Sequence, residues 1–378
     1  MTILDILLRT VITSIGIVII WRTVISALRT FVVPRGISDR ITRNIFSVSR
    51  RVFNLRLRFA KSYVAKDRIM AYFAPITLVC FPVVWLAFVT VGFGFIFRGI
   101  STRSWADAFK LSGSAIMTLG FATADPLHEN IIIFIEATIG LIMVAILISY
   151  LPTMYSAWSE REMAVTKLDV RAGSPPSAIE LIKRAYRIGL AEKMNLFWIE
   201  WEDWFTSVEE THTSLPALNL YRSTVPEYNW VIAAGTVLDS AALFNSTIDK
   251  PHDPQEDLCI RAGYLTLRRI AGFFGVPINE AVTADDPISI SREEFDQAYD
   301  ELAAAGVPLK PDRDLAWRNF KGWRVNYDAP LLALCNIVMA PYASWSSDRA
   351  HLHRQLQTSP SFFKSRQSDL FTLFRRQS

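Results

Sequence analysis

The sequence predicts an all-α membrane protein, and three observations lead to this fold class. Three long apolar segments, residues 10–33, 69–97 and 131–156, divide the first half of the chain. The second half contains helix-like apolar periodicity and no series of short alternating strands. Residues 1–158 carry 16 Lys and Arg against 7 Asp and Glu, whereas the remainder carries 24 against 29. This asymmetry predicts a basic membrane half joined to an acidic soluble half.

The first apolar segment, within residues 1–33, has two interpretations. Its charge-free core from Thr10 to Trp21 is short enough for a signal peptide, but Asp5 precedes it and no convincing small-residue cleavage site follows. We therefore predict a retained transmembrane helix. Arg22 within it is expected to pair with a partner or to extend toward the interface, because an arginine deep in lipid is costly.

Residues 34–68 form a strongly basic connection, with ten Lys and Arg side chains against Asp39 and Asp67. Positive charge flanking membrane helices favours the cytoplasmic side, so this connection is predicted to be cytoplasmic. One interpretation is that it contacts anionic lipid headgroups. The other is that its charge only sets the topology, and the sequence leaves both open.

Residues 69–97 contain no charged side chain over 29 positions, more than the roughly 20 residues that cross a bilayer. A shorter stretch, residues 104–117, precedes the next apolar segment and can form a short helix that begins at Ser104. The negative, C-terminal end of such a helix favours a nearby cation. The third segment, residues 131–156, contains one ionisable side chain, Glu136.

Between the short helix and the third apolar segment lies Thr118-Leu119-Gly120-Phe121-Ala122. This pentapeptide resembles the selectivity-filter strand of tetrameric potassium channels, which is usually Thr-Val-Gly-Tyr-Gly or Thr-x-Gly-Phe-Gly. The order of long segment, short helix, filter-like strand and long segment is similar to the two-helix pore module of that family. The resemblance covers about residues 69–158, which we treat as a pore domain.

The resemblance implies a homotetrameric potassium channel in which one subunit supplies one filter strand. Backbone carbonyl groups would replace the water shell of K⁺, with K⁺ as the permeating ion, no cofactor and no catalysis. The implied filter residues are Thr118, Leu119, Gly120, Phe121 and Ala122, the implied filter supports are Glu136 and Trp105, and the gating candidates are Gly140 and Pro152.

Some residues depart from the family pattern or have simpler interpretations. Carbonyl groups that face one axis need positive φ at alternate residues, which Gly120 allows and Ala122 resists. Ala122 and Thr123, where the family has glycine and aspartate, make a non-selective cation channel the alternative. Glu136 is alternatively an interfacial residue, and Gly140 and Pro152 are alternatively ordinary irregularities of a membrane helix.

The predicted topology has three crossings and a re-entrant loop. Residues 34–68 and everything after residue 158 then lie on the same side of the membrane. We expect an integral protein of the inner or plasma membrane, with an external N-terminus and a cytoplasmic C-terminal domain. Its expected partners are further copies of the chain and membrane lipids, and no nucleic acid.

The soluble half, residues 159–358, is predicted to begin with a charged linker that ends at residues 173–176 and to continue as a helical domain. A capping-box pattern begins at Ser291. No dinucleotide fingerprint is present, which argues against a nucleotide-fold gating domain, and no Walker A motif, EF-hand loop or His-Glu-x-x-His is present either. No nucleophile–base pair or metal constellation is readable, so no enzyme is predicted. The predicted helices are residues 177–205, 217–221, 228–243, 257–274, 292–304 and 328–339.

A dense acidic and aromatic stretch, Trp198 to Thr213, carries Glu209, Glu210 and His212. One hypothesis is a regulatory site built from these three residues, completed by Arg222 or Arg261. The alternative is an amphipathic helix whose tryptophans are core. In a further alternative, the whole protein is a non-conducting membrane-anchored sensor or scaffold. The basic tail, residues 359–378, suits a helix on a membrane surface, a disordered segment or a contact with a neighbouring subunit.

Overall fold

The structure is a computed structural model, and it describes residues 2–33, 39–60, 62–279 and 281–349. All regular elements among these residues are helices, accompanied by one isolated bridge between Ile248 and Leu309. The all-helical fold class is therefore confirmed. The chain divides into two compact units, Met1–Ser156 and Ala157–Ser378. The basic tail lies outside the described residues.

Three helical stretches are long and apolar enough to cross a membrane: Ile3–Phe31, Tyr63–Ile100 and Leu127–Ala172. These are the features of a membrane protein. The first stretch is α1 (Ile3–Phe31), which starts earlier than predicted because Thr2 caps it by accepting from the Asp5 amide. The third is α6 (Leu127–Ala172), which continues through residues 159–172. The predicted charged linker is thus wrong, since these residues are helical.

The basic connection also differs from the prediction, because it contains two helices. α2 (Arg40–Leu57) begins at the cap residue Asp39, and α3 (Tyr63–Ala71) begins at the cap residue Ser62. Arginine is a good helix former, so a run rich in arginine does not exclude a helix. Next follow α4 (Phe73–Ile100) and α5 (Trp105–Ile116), whose Ser104 cap matches the predicted start.

Glycines allow α1 and α4 to approach closely. A methyl group on Gly16 would lie 2.5 Å from the Gly92 carbonyl oxygen, and one on Gly99 would lie 2.9 Å from the Arg9 carbonyl oxygen. The Arg9 side chain crosses the same contact and donates to the Ser101 carbonyl oxygen at 3.0 Å. Small residues at a membrane-helix interface let the two backbones pack directly.

The second unit surrounds one buried helix, α9 (Trp230–Thr247). Every residue of α9 except Asn245 is buried, and most of them are apolar, as expected for a helix inside a core. The helices around it are α7 (Ala178–Arg187), α8 (Met194–Ser214), α10 (Pro254–Phe273), α11 (Arg292–Ala304), α12 (Arg313–Arg324) and α13 (Asp328–Val338), with short 3₁₀ helices at Ala191–Lys193 and Pro216–Leu220.

Two predictions in this unit are wrong, and one is confirmed in detail. The predicted helix over residues 177–205 is interrupted by Gly189, which has φ +71° and ends the first helical piece. The helix α12 is missing from the predicted set. The capping box at Ser291 is confirmed, with the Ser291 hydroxyl accepting from the Glu294 amide and the Glu294 carboxylate accepting from the Ser291 amide.

A buried ion pair connects α9 with α12. Arg324 Nη1 donates to Asp239 Oδ1 at 2.5 Å, and the Tyr327 hydroxyl donates to the same oxygen at 2.8 Å. Arg324 is fully buried, and its Nε donates to Asp328 at 2.8 Å. Because both carboxylates satisfy this guanidinium away from water, each one is needed once the arginine is buried.

We predict that Asp239→Ala lowers the free energy of unfolding by about 3–5 kcal/mol, because it leaves a buried guanidinium charge uncompensated. Denaturant unfolding of the purified protein, followed by tryptophan fluorescence, measures this change. The matched control is Asp314→Ala, which removes a carboxylate that is 79% exposed and paired with Arg292, and it should cost at most about 1 kcal/mol. Equal losses in the two variants would contradict the proposed role of the buried pair.

Candidate functional site

The backbone between α5 and α6 changes handedness at alternate residues. Thr118 has φ +52° and Gly120 has φ +70°, whereas Ala122 does not adopt a positive φ. Gly120 therefore has the conformation that the sequence analysis required of it. The second left-handed residue is Thr118 rather than Ala122. A left-handed conformation costs an L-residue roughly 1–2 kcal/mol, and it is unusual for a β-branched one.

The amide groups of this segment point back to the C-terminal turn of α5. The Thr118 amide donates to the Ala115 carbonyl oxygen at 3.0 Å, and the Leu119 amide donates to the Ser114 carbonyl oxygen at 2.9 Å. The Ala122 amide donates to the Ser114 hydroxyl oxygen at 3.0 Å. Ser114 thus holds the segment at two points, once through its backbone and once through its side chain.

These amide contacts fix the direction of the carbonyl groups. In a trans peptide, the carbonyl of one residue and the amide of the next point in opposite directions. The carbonyl groups of Met117, Thr118 and Phe121 therefore point away from α5, because the amides that follow them point toward it. Within the described part of the chain, no hydrogen bond is donated to the carbonyl oxygens of residues 117–121. A row of carbonyl oxygens of this kind can coordinate a cation that has lost its water.

The return from this segment into α6 is held by two polar contacts. Arg103 Nη2 and Nε donate to Glu129 Oε2 at 3.0 Å and 3.1 Å, and the Glu129 side chain is only 4% exposed. The Asn130 side-chain amide donates to the Ala124 carbonyl oxygen at 2.9 Å. Both contacts restrain residues 123–126, which have no regular secondary structure, and the start of α6 at Leu127.

Glu136 of α6 lies against α5. It is fully buried, and its Oε1 is at hydrogen-bonding distance from the Ser112 hydroxyl, which also donates to the Thr90 carbonyl oxygen at 3.0 Å. A hydroxyl has one hydrogen, so both bonds form together only if the Glu136 carboxyl group carries a proton and donates it to Ser112. The Thr90 backbone carbonyl, the Ser112 hydroxyl and the Glu136 carboxyl group therefore connect α4, α5 and α6.

The other residues that the sequence analysis assigned to a pore occupy different places. Trp105 is the first residue of α5, about 16 Å along the helix axis from its last residue, and its ring stacks on Phe109. Within one subunit, Trp105 therefore does not support the filter-like segment by direct contact. Gly140 packs against the end of α5, since a methyl group there would lie 3.0 Å from the Ile116 carbonyl oxygen. Pro152 lies within the uninterrupted helix α6.

The three residues of the hypothetical regulatory site on α8 have different environments. Glu209 is paired with Arg269, and Glu210 is exposed and accepts from the Ser214 hydroxyl at 3.0 Å. His212 is fully buried, and burial, followed by the charge of Arg161, lowers its pKa. The structure therefore places His212 in the core and the two carboxylates on the surface side of the helix.

The candidate completing arginines are also occupied. Arg222 donates to the Val338 carbonyl oxygen at 2.8 Å, and Arg261 donates to the Tyr264 hydroxyl at 3.3 Å. Trp198, Trp201 and Trp204 are buried core residues, as the alternative interpretation of this stretch expected. The sequence analysis assigned no function to Ser112 or Ser114. Two serines in an otherwise apolar short helix, directly before a non-helical segment, could have indicated one.

Among the described residues, no three His, Cys, Asp or Glu side chains come together as metal ligands. A cation bound at residues 117–121 would be held by backbone oxygens instead. Comparison with known proteins finds no matching family model, no matching curated protein and no matching solved structure.

We predict that Ser114→Ala exposes the Ala122 amide to exchange with solvent, because that amide loses its acceptor. A lost hydrogen bond costs about 1–3 kcal/mol, so protection should fall roughly 5- to 150-fold. Hydrogen exchange, measured by mass spectrometry on a peptide covering residues 118–124, reports this change. Ser14→Ala, which removes an exposed hydroxyl that bonds to Thr10 within α1, should leave this peptide unchanged. Unchanged exchange in Ser114→Ala would rule out the tether.

We further predict that Glu136→Gln keeps nearly the wild-type stability, because a neutral amide can still donate to Ser112. Glu136→Ala should cost about 2–4 kcal/mol, since it leaves a void between packed helices. Thermal unfolding in detergent compares the two variants, with the exposed Glu192→Ala as the matched control. If Gln is as damaging as Ala, an ionised carboxylate rather than a protonated one is required.

Proposed function

We propose that this protein is a homotetrameric potassium channel that passes K⁺ down its gradient. The observation that carries the proposal is the set of carbonyl groups at residues 117–121, which accept no hydrogen bond from the described residues, and of which those of Met117, Thr118 and Phe121 point away from α5. The resemblance of Thr118-Leu119-Gly120-Phe121 to a filter strand supports the same function. One strand cannot surround an ion, so four copies around a common axis would complete the site.

The helix α5 supports a cation rather than an anion at this site. Its C-terminal end, at Ile116 and Met117, directly precedes the segment, and the partial negative charge of a helix C-terminus attracts cations. The side chains of Met117, Leu119 and Phe121 are 51%, 64% and 66% exposed in the single subunit. Contact with neighbouring copies would cover these apolar side chains.

A non-selective cation channel is the second candidate, and one observation favours it. Selectivity among cations depends on how many carbonyl groups line the pore, and the alternation of handedness stops at Gly120 because Ala122 has no positive φ. Fewer aligned carbonyl groups would discriminate less between K⁺ and Na⁺. The flux experiment below separates the two candidates.

The second unit is proposed to regulate the pore from the cytoplasmic side, with the N-terminus external. The helix α6 is continuous from Leu127 to Ala172, so it belongs to both units and gives a covalent route between them. Along this route, Gly140, which has no side chain, and Pro152, which donates no backbone hydrogen bond, are the proposed gating positions. Glu209 and Glu210 remain the proposed regulatory surface.

We expect purified protein in liposomes to pass K⁺ faster than Na⁺ and to exclude Cl⁻. Gly120→Ala should reduce K⁺ flux or its preference over Na⁺, because alanine resists the left-handed conformation. Ion-selective electrodes or fluorescent indicators measure all three fluxes. Equal K⁺ and Na⁺ flux would favour the non-selective candidate, and no flux under any condition would favour a non-conducting sensor or scaffold.

Two glycines provide matched controls for Gly120→Ala. Gly113 lies in α5 with no atom near the added methyl group and no positive φ, so Gly113→Ala makes the same chemical change without strain. Gly189 has φ +71° but lies in the second unit, so Gly189→Ala introduces the same strain away from the pore. Both should retain wild-type flux and selectivity. If either control loses them as Gly120→Ala does, the effect is not specific to the filter.

A further inference from the structure

The helix α2 has one face on the protein and another that is exposed. On the protein side, Ile45 and Phe53 are buried. The ring centroids of Phe46 and Phe53 each lie 5.3 Å from that of Phe73 at the start of α4. The Thr42 hydroxyl lies 2.8 Å from that of Thr30 near the end of α1. These contacts attach α2 to the ends of two membrane-spanning helices.

The exposed side of α2 carries an apolar stripe. Val48, Val52 and Leu55 are 56%, 55% and 57% exposed, and Phe59, just after the helix, is 80% exposed. Their spacing of four, three and four residues places them in one line along the helix. The described residues of the first unit, Met1–Ser156, do not bury this stripe, so the stripe is open to an external partner.

Basic side chains accompany this stripe. Arg40, Arg51, Arg56 and Arg58 are exposed and form no ion pair with any residue that the structure describes. No acidic residue occurs in the sequence between Asp39 and Asp67. The positive charge of α2 is therefore not neutralised within its own segment, and its complement is an anionic surface.

We propose that α2 lies in the cytoplasmic interface of the bilayer and binds anionic lipid headgroups. The apolar stripe would enter the boundary between headgroups and acyl chains, roughly 5–10 Å deep, and the arginines would contact phosphate groups beside it. An acidic protein surface would satisfy the arginines but would leave Val48, Val52 and Leu55 without an apolar environment. A bilayer satisfies both, and α1 and α4 hold α2 at its surface.

This inference depends on membrane insertion and not on ion conduction, so its test uses no flux measurement. A nitroxide label is placed at Val52→Cys or, on the opposite side of the helix, at Asn54→Cys, in a Cys80→Ala background. The remaining cysteines, Cys259 and Cys335, are buried. Full-length protein is reconstituted in phosphatidylcholine alone or mixed with phosphatidylglycerol, and collisions of the label with oxygen and with a water-soluble nickel chelate are compared.

We expect the ratio of oxygen to nickel collisions to be several-fold higher at Val52 than at Asn54 and to rise further when phosphatidylglycerol is added. The rise should disappear when Arg40, Arg51 and Arg58 are changed to glutamine. Changing Arg187, Arg269 and Arg318 to glutamine removes as much charge from the second unit and should have no effect. A label at Leu55→Cys repeats the measurement if the Val52 variant does not fold.

Two results would overturn the proposal. If the labels at Val52 and Asn54 meet the nickel chelate equally in both vesicles, α2 lies in water. If the label at Val52 is shielded from both reagents to the same extent in both vesicles, α2 is covered by protein, either the acidic second unit or another copy of the chain. Each result leaves the channel proposal untouched, since that rests on residues 117–121.

Discussion

A backbone that lies at membrane depth must satisfy its own polar groups, because hydrocarbon supplies no hydrogen bonds. In this chain, the non-helical residues after Ile116, which we propose to lie at membrane depth, meet that requirement on one side only. The amides of Thr118, Leu119 and Ala122 are satisfied by the last turn of α5, through the Ala115 and Ser114 carbonyl oxygens and the Ser114 hydroxyl. The carbonyl groups of Met117, Thr118 and Phe121 point to the other side, where an ion, water or another chain would have to satisfy them.

The short helix α5 is the element through which this arrangement is built. Ser114 faces the segment, while Ser112, two residues earlier and on another side of the helix, contacts Glu136 and Thr90. Gly140 allows α6 to approach the end of the same helix. Since α5 is fixed by both long helices, a shift of either one would reach the carbonyl row through a single short element.

The sequence allowed the long helices and α5 to be predicted because their signals are local: uncharged runs and the Ser104 cap. It did not allow α12 to be predicted, since four of its twelve residues are Arg or Lys and the burial of Arg324 depends on Asp239, which is distant in sequence. The left-handed Thr118 was missed for a similar reason. Propensity alone assigns that conformation to glycine, whereas here the contacts with Ser114 and Ala115 hold it.

The close backbone approach of α1 and α4 has a mechanical consequence. With 29 and 28 residues, these helices are about 44 Å and 42 Å long, whereas the hydrocarbon core is about 30 Å thick, so both are expected to tilt. Because Gly16 and Gly92 leave no space for lipid between them, the two helices must change tilt together. Thinning of the bilayer under lateral tension would then rotate α4 as part of a pair and transmit force to α5.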